Sequence, residues 1–361
     1  MHSDALRTGT EAGPFHSYPR HMDWYLAAPF IHSAADQWLG AFVPNEAADL
    51  RFHAVPATYH HDRSRKFTGS SAWADYFGHG NAVWRAARAS RTPAGILTCF
   101  PQLPIPVGLR KRLAFSDLPV VAWTFNLGKL PTGLRRHLAM AAFAAVDRFI
   151  VHSRSEIVSC SAWLELPESR FRFVPLQRAA RPITVDEDRN EPFVLSMGSA
   201  QRDYRLLFGV LAELGYPAVI VAGAHAVASL TVPANVQVRS GLSTEECHVL
   251  AQRARVNVIP VANQDTASGQ VTLLDAMMFA RAAVITACPA SVDYVDHGHD
   301  ALLVRHGDHD DMKAAIQMLW EDETLRRTIG AAARKTALER FSDEAIGREL
   351  GIILREVGAA R

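Results

Sequence analysis

The sequence predicts an α/β protein built from two doubly wound parallel halves, and three observations carry that prediction. Short apolar runs rich in β-branched and aromatic residues alternate with helical patterns along the chain. A stretch of charge and proline, Arg178 to Pro192, breaks the alternation once, after which it restarts. The length of 361 residues exceeds what one core usually supports, so two domains are expected.

Taken in order, the first half offers strands at "WYLAAPF", "LRFHAVPA", "AGILTCFP", "PVVAWTFNL", "RFIVHS" and "FRFVPLQ". Helical spacing is clearest in "PTGLRRHLAMAAFAAVD". The second half opens with the strand "FVLSMGS" and the helix "DYRLLFGVLAELG", which Gly215 stops. Strands "PAVIVAG", "NVQVRSG" and "RVNVIPVA" follow, then a helix-and-strand segment from Ala262 to Pro289, then "ALLVRHG". After Gly307 the pattern is helical to the end. The chain thus divides into a lead-in (1–20), a first domain (21–178), a linker (179–191), a second domain (192–342) and a terminal helix (343–361). Two such halves bury ligands between them, at the carboxyl ends of their strands.

Composition narrows the function classes. Apolar residues make up 48% and charged residues 21%, which excludes wholesale disorder. A net charge of +1 gives no global electrostatic case for nucleic acid. The four cysteines, Cys99, Cys160, Cys247 and Cys288, form no CxxC pair, which argues against structural zinc and for a reducing cytoplasm. No uncharged apolar run reaches about 18 residues, so no membrane span is expected.

The segment "ANQDTASGQVTLLDAMMFARAAVITACP" poses the functional question, because its apolar helix carries one acid, Asp275. If the helix begins near Gly269, then Ser268, Thr272 and Asp275 share a polar stripe, while Leu273, Leu274 and Met277 face the core. A helix N-terminus offers free amides and partial positive charge to an anion, and Gly269 lets that anion come close. A carboxylate one or two turns further in suits the vicinal hydroxyls of a ribose. The geometry is equally that of a helix whose aspartate meets solvent at a domain edge.

"SGQVTLLDAMMFARAAVITACPASVDYVDHGHDALLVRHGD" resembles the nucleotide-sugar half of retaining glycosyltransferases of the GT-B fold, the family-4 type (glycosyl transferases group 1). "VDRFIVHSRSEIVSCSAWLELPESRFRFVPL" is similar to the strand–helix–strand that closes the first domain there, and "FVLSMGSAQRDYRLLFGVLAEL" to the entry into the second. The resemblance implies two Rossmann-like domains facing a cleft, with the last helix, Asp343 to Val357, returning to the first domain. It implies that Asp275 holds the ribose and that Gly269, Gln270 and Val271 turn backbone amides to the diphosphate, with Ser268 beside them. Arg202 matches the basic residue that neutralises the leaving diphosphate, in a loop that also supplies Gly198 and Ser199, with Arg205 in reserve. Ser240 and Gly241 match the loop that bounds the base.

Two departures from the family pattern stand out. The family's first acid would fall on Ala267, so either Asp265 substitutes from the same loop or backbone alone holds the sugar. The usual Gly-Arg after the first strand of the second half is here "GSAQR", which places more weight on Arg202.

The resemblance implies transfer of a sugar from a nucleotide-diphosphate donor, UDP- or GDP-linked, to an acceptor hydroxyl with retention and without a metal or other cofactor. Two alternatives remain on the same fold: a nucleotide-sugar epimerase, for which no acidic pair is evident, and a non-catalytic nucleotide-binding or scaffold relative. Acceptor-side candidates are Ser33 in "FIHSAADQ", His60 and His61 in the segment from Thr58, and Asn126, where Thr124 is the neighbouring choice. The acceptor is a glycan, a lipid-linked glycan or a small molecule. "LRKRL", Leu109 to Leu113, reads either as a basic contact with the inner face of a membrane or as a solubilising surface. "DED", Asp186 to Asp188, reads as a solvated charge run rather than a metal site. "HHD" reads as a loop, because adjacent histidines on an extended chain face opposite ways.

Overall fold

The computed structural model describes residues 21–46, 48–59, 70–126, 130–263 and 267–360. The lead-in, His60, His61 and Asp265 therefore lie outside the described residues.

The first half is a six-stranded parallel sheet. It comprises β1 (Met22–Ala27), β2 (Leu50–Ala54), β3 (Ala94–Cys99), β4 (Val120–Trp123), β5 (Arg148–Val151) and β6 (Phe171–Phe173). Their order is β2-β1-β3-β4-β5-β6, so the winding reverses between β1 and β3. Strands β3 and β4 are buried at every position, as expected for a parallel sheet covered on both faces. The helices are α1 (Ser70–Arg88), α2 (Pro104–Leu113), α3 (Leu134–Phe143) and α4 (Arg154–Leu164).

The second half repeats the plan with β7 (Val194–Met197), α5 (Tyr204–Leu214), β8 (Ala218–Val221), β9 (Val236–Arg239), α6 (Thr244–Arg253) and β10 (Val256–Ile259). It continues with α7 (Gln270–Met278), β11 (Ala283–Thr286) and β12 (Leu302–Val304). The order β12-β11-β10-β7-β8-β9 is the Rossmann winding, reversing between β7 and β10. Gly215 ends α5 in the left-handed conformation, φ +68°, as its position after a long apolar helix predicts.

Three helices close the chain: α8 (His309–Glu321), α9 (Glu323–Arg340) and α10 (Asp343–Ala359). The last one packs Ile346, Leu350, Ile353 and Leu354 into the core formed by Trp24, Leu26, Leu39 and Trp123 of the first half. The two halves are therefore joined twice, by the linker and by the return of α10.

The acidic linker corrects one expectation. Glu187 accepts two bonds from the buried Arg326, at 3.1 and 2.9 Å, and a third from Arg255 at 3.0 Å. Asp188 pairs with Arg253. Two of the three acids thus clamp the linker to the second domain instead of facing solvent, because α6, α9 and the start of β10 present arginines along its path. The basic run on α2 is likewise divided. Lys111 is buried and bonds Asp147 at 2.5 Å, Arg110 bonds Asn81 at 2.9 Å, and Arg112 reaches the carbonyl of Ala141 at 3.3 Å. Among the described residues no helix is long and apolar enough to cross a membrane.

Candidate functional site

Ligand crevices in wound sheets lie where the winding reverses, outside the carboxyl ends of the two diverging strands. In the second half that point lies between β7 and β10. The loop after β7 carries Gly198, Ser199 and Arg202, and the segment after β10 leads to Gly269. The two connections pair directly, through an antiparallel bridge of Arg202 with Val261. The Asp203 amide also donates to the Pro260 carbonyl at 2.9 Å, and the Ala262 amide to that of Gln201 at 3.1 Å.

Arg202 is the centre of this arrangement. Its Nε donates to the carbonyl of Met197 at 3.1 Å and its Nη1 to that of Ala200 at 3.0 Å. Nη1 also reaches Ser268 Oγ at 3.2 Å, and Nη2 reaches Thr272 Oγ1 at 3.0 Å. The guanidinium thus lies against the polar stripe that begins α7. A Cβ on Gly198, whose φ is +115°, would stand 2.8 Å from Arg202 Nη2, so a larger residue would push the fork away. Burial pulls the Arg202 pKa below its ordinary value, and no carboxylate among the described residues pairs with it. A desolvated cation held only by neutral acceptors is a seat for an anion.

Helix α7 supplies the other half of that seat. Gly269 precedes it at φ +89°, and a Cβ there would lie 2.8 Å from Ile259 Cγ2, so both backbone shape and space demand glycine. The first intrahelical bond is Leu273 N–H to Gly269 O at 3.0 Å, which leaves the amides of Gln270, Val271 and Thr272 at the open end. Val271 is exposed, whereas Gln270 is buried and its Nε2 reaches across to the carbonyl of His152 in the first half, at 3.5 Å. Ser199 Oγ accepts the Gly223 amide at 2.7 Å, tying the β7 and β8 loops together. Ser240 and Gly241, the latter at φ +72°, follow the edge strand β9, two strands from β7.

Asp275 stands apart from Arg202. Its carboxylate takes a two-pronged bond from Arg178, the last residue before the linker, Nε to Oδ1 and Nη2 to Oδ2, both at 2.8 Å. His248 of α6 approaches to 3.8 Å, and both its ring nitrogens are buried without a hydrogen-bond partner. The polar stripe on α7 is therefore shared out, with Ser268 and Thr272 going to Arg202 and Asp275 to Arg178. Neither Arg178 nor His248 carried a local signal in the sequence. Ala267 packs with the apolar cluster around Leu273 and Ile285, so its position adds no polar group.

On the facing side, Asn126 follows β4, and its amide donates to the Thr124 carbonyl at 3.0 Å. Thr124 itself adopts φ +52°, a strained conformation for a β-branched residue. Its Oγ1 lies 3.1 Å from His152 Nε2, while His152 Nδ1 lies 2.7 Å from the Val174 carbonyl. A carbonyl only accepts, so Nδ1 bears the proton and Nε2 accepts the Thr124 hydroxyl. Burial pushes the His152 pKa down to about 4, so the imidazole is neutral at neutral pH. Ser33 is exposed and accepts the Ala35 amide at 3.2 Å within its own turn.

The two sides meet around His152. The Tyr294 hydroxyl donates to the His152 carbonyl and accepts the Leu176 amide, both at 2.8 Å. Asp293, from the second half, accepts the Arg154 amide at 2.7 Å and the Ser153 hydroxyl at 3.1 Å. It thereby caps α4 of the first half across the domain boundary. Nearby, burial pushes the Glu156 carboxyl up to about 7, against backbone amides of His152 and Ser153 that favour its charged form.

Among the described residues, no group of three or more histidine, cysteine, aspartate or glutamate side chains is placed to hold a metal ion. Residues 213–322 match the family model described as glycosyl transferases group 1. No curated protein matches the sequence. Among solved structures, the chain is similar to a sucrose-phosphate synthase from Thermosynechococcus elongatus, at 18% identity and a TM-score of 0.69, covering 95% of this chain and 100% of that one. It is similar to HepE from Anabaena in complex with UDP, at 11% identity and a TM-score of 0.65, covering 93% and 100%. A lipopolysaccharide outer core galactosyltransferase, WaaB, in its apo form matches at 12% identity and a TM-score of 0.62, covering 93% and 99%. With its two six-stranded parallel sheets flanked by helices, the chain has the two-domain GT-B fold of these proteins.

Proposed function

We propose that this protein is a glycosyltransferase that moves a sugar from a nucleotide-diphosphate donor to an acceptor hydroxyl, with retention of configuration and without a metal. The observation that carries the reading is the Arg202 guanidinium, desolvated and without a carboxylate, fixed beside the open amide end of α7. A diphosphate placed there meets a fixed positive charge, oriented amides and the closely approachable Gly269. The match of residues 213–322 to a glycosyl transferase model supports the reading, as does the fold shared with a protein solved with UDP and glucose. UDP- and GDP-linked sugars are the donors of choice.

In this mechanism the departing diphosphate oxygen takes the acceptor's proton, and the new bond forms on the face the leaving group vacates. No protein nucleophile is needed. The protein places two substrates and stabilises the leaving charge, with Arg202 and the α7 amides carrying most of that support. Asp275, steadied by Arg178, presents its remaining lone pairs to the ribose, while Ser240 and Gly241 border the base. Asp265, or backbone alone, would hold the transferred sugar. Thr124 and Asn126 face the acceptor, and the protein works in the cytoplasm, at the inner membrane face where the acceptor is lipid-linked.

Ala267 favours a second reading, in which the protein binds a nucleotide without transferring its sugar. Thermal melts with UDP-, GDP-, ADP- and dTDP-sugars separate the two. A ligand at about one hundred times its dissociation constant adds about 2.7 kcal/mol to stability, and Asp275→Ala is expected to diminish that shift. Slow hydrolysis of the stabilising donor supports transfer, whereas a shift without turnover supports the second reading. A panel with no shift removes both.

A further inference from the structure

The start of α4 gathers two carboxylates, one from each half, around a single residue. Ser153 is fully buried. Its hydroxyl faces Asp293 Oδ2 at 3.1 Å and the Pro289 carbonyl at 3.2 Å, both in the second half. Its amide donates to the Glu156 carboxylate, as does that of His152 at 3.1 Å. Glu156 belongs to the first turn of α4, whereas Asp293 ends the turn after β11, Ser291–Asp293. Both side chains are largely withdrawn from water: Glu156 is 9% exposed and the Asp293 side chain 8%.

The groups around them supply little positive charge. Arg154 lies 3.5 Å from Asp293 Oδ1, but its side chain is 72% exposed and its guanidinium rests over the Phe173 ring. The His152 imidazole is neutral at neutral pH. Tyr294 and Gln270 bring neutral groups from the second half, and Cys160, on the next turn of α4, brings a thiol that burial pushes up to about 12. One charge at this junction is therefore well satisfied, by the Arg154 amide and its guanidinium. A second is not, because like charges withdrawn from water repel with little screening. Burial, with the Asp293 charge adding to it, pushes the Glu156 carboxyl up to about 7. When the second charge does form, the two carboxylates are not equally free to move. Glu156 is fixed within α4 and by two amides of its own half, whereas Asp293 reaches α4 only across the domain boundary.

We infer that the bond between Asp293 and α4 is a proton-controlled clasp, which holds the halves together while Glu156 is neutral and lets them part once both carboxylates are charged. The clasp does not depend on what the cleft binds. In the parted state water reaches Glu156 and its proton leaves freely. The ratio of parted to closed molecules therefore rises about tenfold for each pH unit above about 7.

Small-angle X-ray scattering of the full chain between pH 6 and pH 8.5 tests the clasp, with circular dichroism to follow the fold. A compact chain of this length has a radius of gyration of about 21 Å, and that of the parent should grow by about a twentieth across the range. In Glu156→Gln, which keeps an acceptor oxygen for the two amides but no charge, the radius should not respond to pH. Asp293→Asn keeps a capping side chain and removes the other charge, so it should flatten the response as well, and it suffices should Glu156→Gln misfold. A parent radius constant across the range, a rise that survives either substitution, or a rise accompanied by loss of helical signal overturns the clasp.

Discussion

The two reversal points solve the same problem with opposite materials. In the second half, the crevice between β7 and β10 is lined by a desolvated guanidinium, the first amides of α7 and two glycines at positive φ. In the first half, the connections at the reversal between β1 and β3 carry aromatic rings, Phe30, Trp38 and Phe100, and two strands away, after β5, lie a neutral imidazole and a carboxyl whose pKa burial pushes up to about 7. The first arrangement suits a ligand with fixed negative charge, and the second offers no fixed positive charge for one. One winding therefore serves two chemistries, according to whether its turns expose backbone or bury it under side chains.

Removing the charge from the second crevice should break the contrast most. Arg202→Ala is expected to lower turnover about a hundredfold to a thousandfold, the usual effect of losing one charge-stabilising donor. Arg202→Lys should recover little, because an ammonium cannot reproduce four bonds made by a planar fork. Steady-state rates with the stabilising donor are the check, and an unaffected rate would remove Arg202 from the site.

The buried groups after β5 predict an effect of pH. The Glu156 pKa is raised from 4.5 to about 7 on folding, so the native state keeps a proton that the unfolded chain releases between those values. Its contribution to stability therefore falls as pH rises through this window, by about 3 kcal/mol in all. His152, lowered from 6.5 to about 4, acts in the opposite sense, and stability falls as pH drops from 6.5 towards 4. Glu156→Gln should abolish the first slope and leave the second, so that the variant gains on the parent in urea melts at pH 8 but not at pH 4.5. Parallel curves for the two proteins would contradict the assignment.

The smallest expected effect concerns the contact that joins the halves. Asp293→Ala deprives α4 of its cap from the neighbouring domain and should cost about 1 kcal/mol, as cap removals usually do. Because the cap spans domains, hydrogen exchange at Arg154 should quicken more than global stability falls. Equal changes in both would mark it as an ordinary cap.

The strand-and-helix alternation was readable because it is local. Gly215 ends α5 where the apolar periodicity stops, and Gly269 opens α7 because only glycine fits its angle and its space. Arg202 was likewise reachable, since a cation a few residues past a strand end has few other places to go. The partners of Asp275, Glu187 and Thr124 were not. Arg178, Arg326 and His152 meet them only after the sheets have formed, and nothing in an isolated arginine or histidine announces a partner 97, 139 or 28 positions away. The solvated reading of "DED" failed for the same reason.

The carbonyl of His152 receives both the Tyr294 hydroxyl and the Gln270 side-chain amide, while the ring of the same residue holds Thr124. Gln270 is also the first residue of the helix whose amides would meet the diphosphate. One residue thus bonds both the start of α7 and the hydroxyl at the end of β4. On the proposed function, that shared residue would tie the loading of one substrate to the alignment of the other.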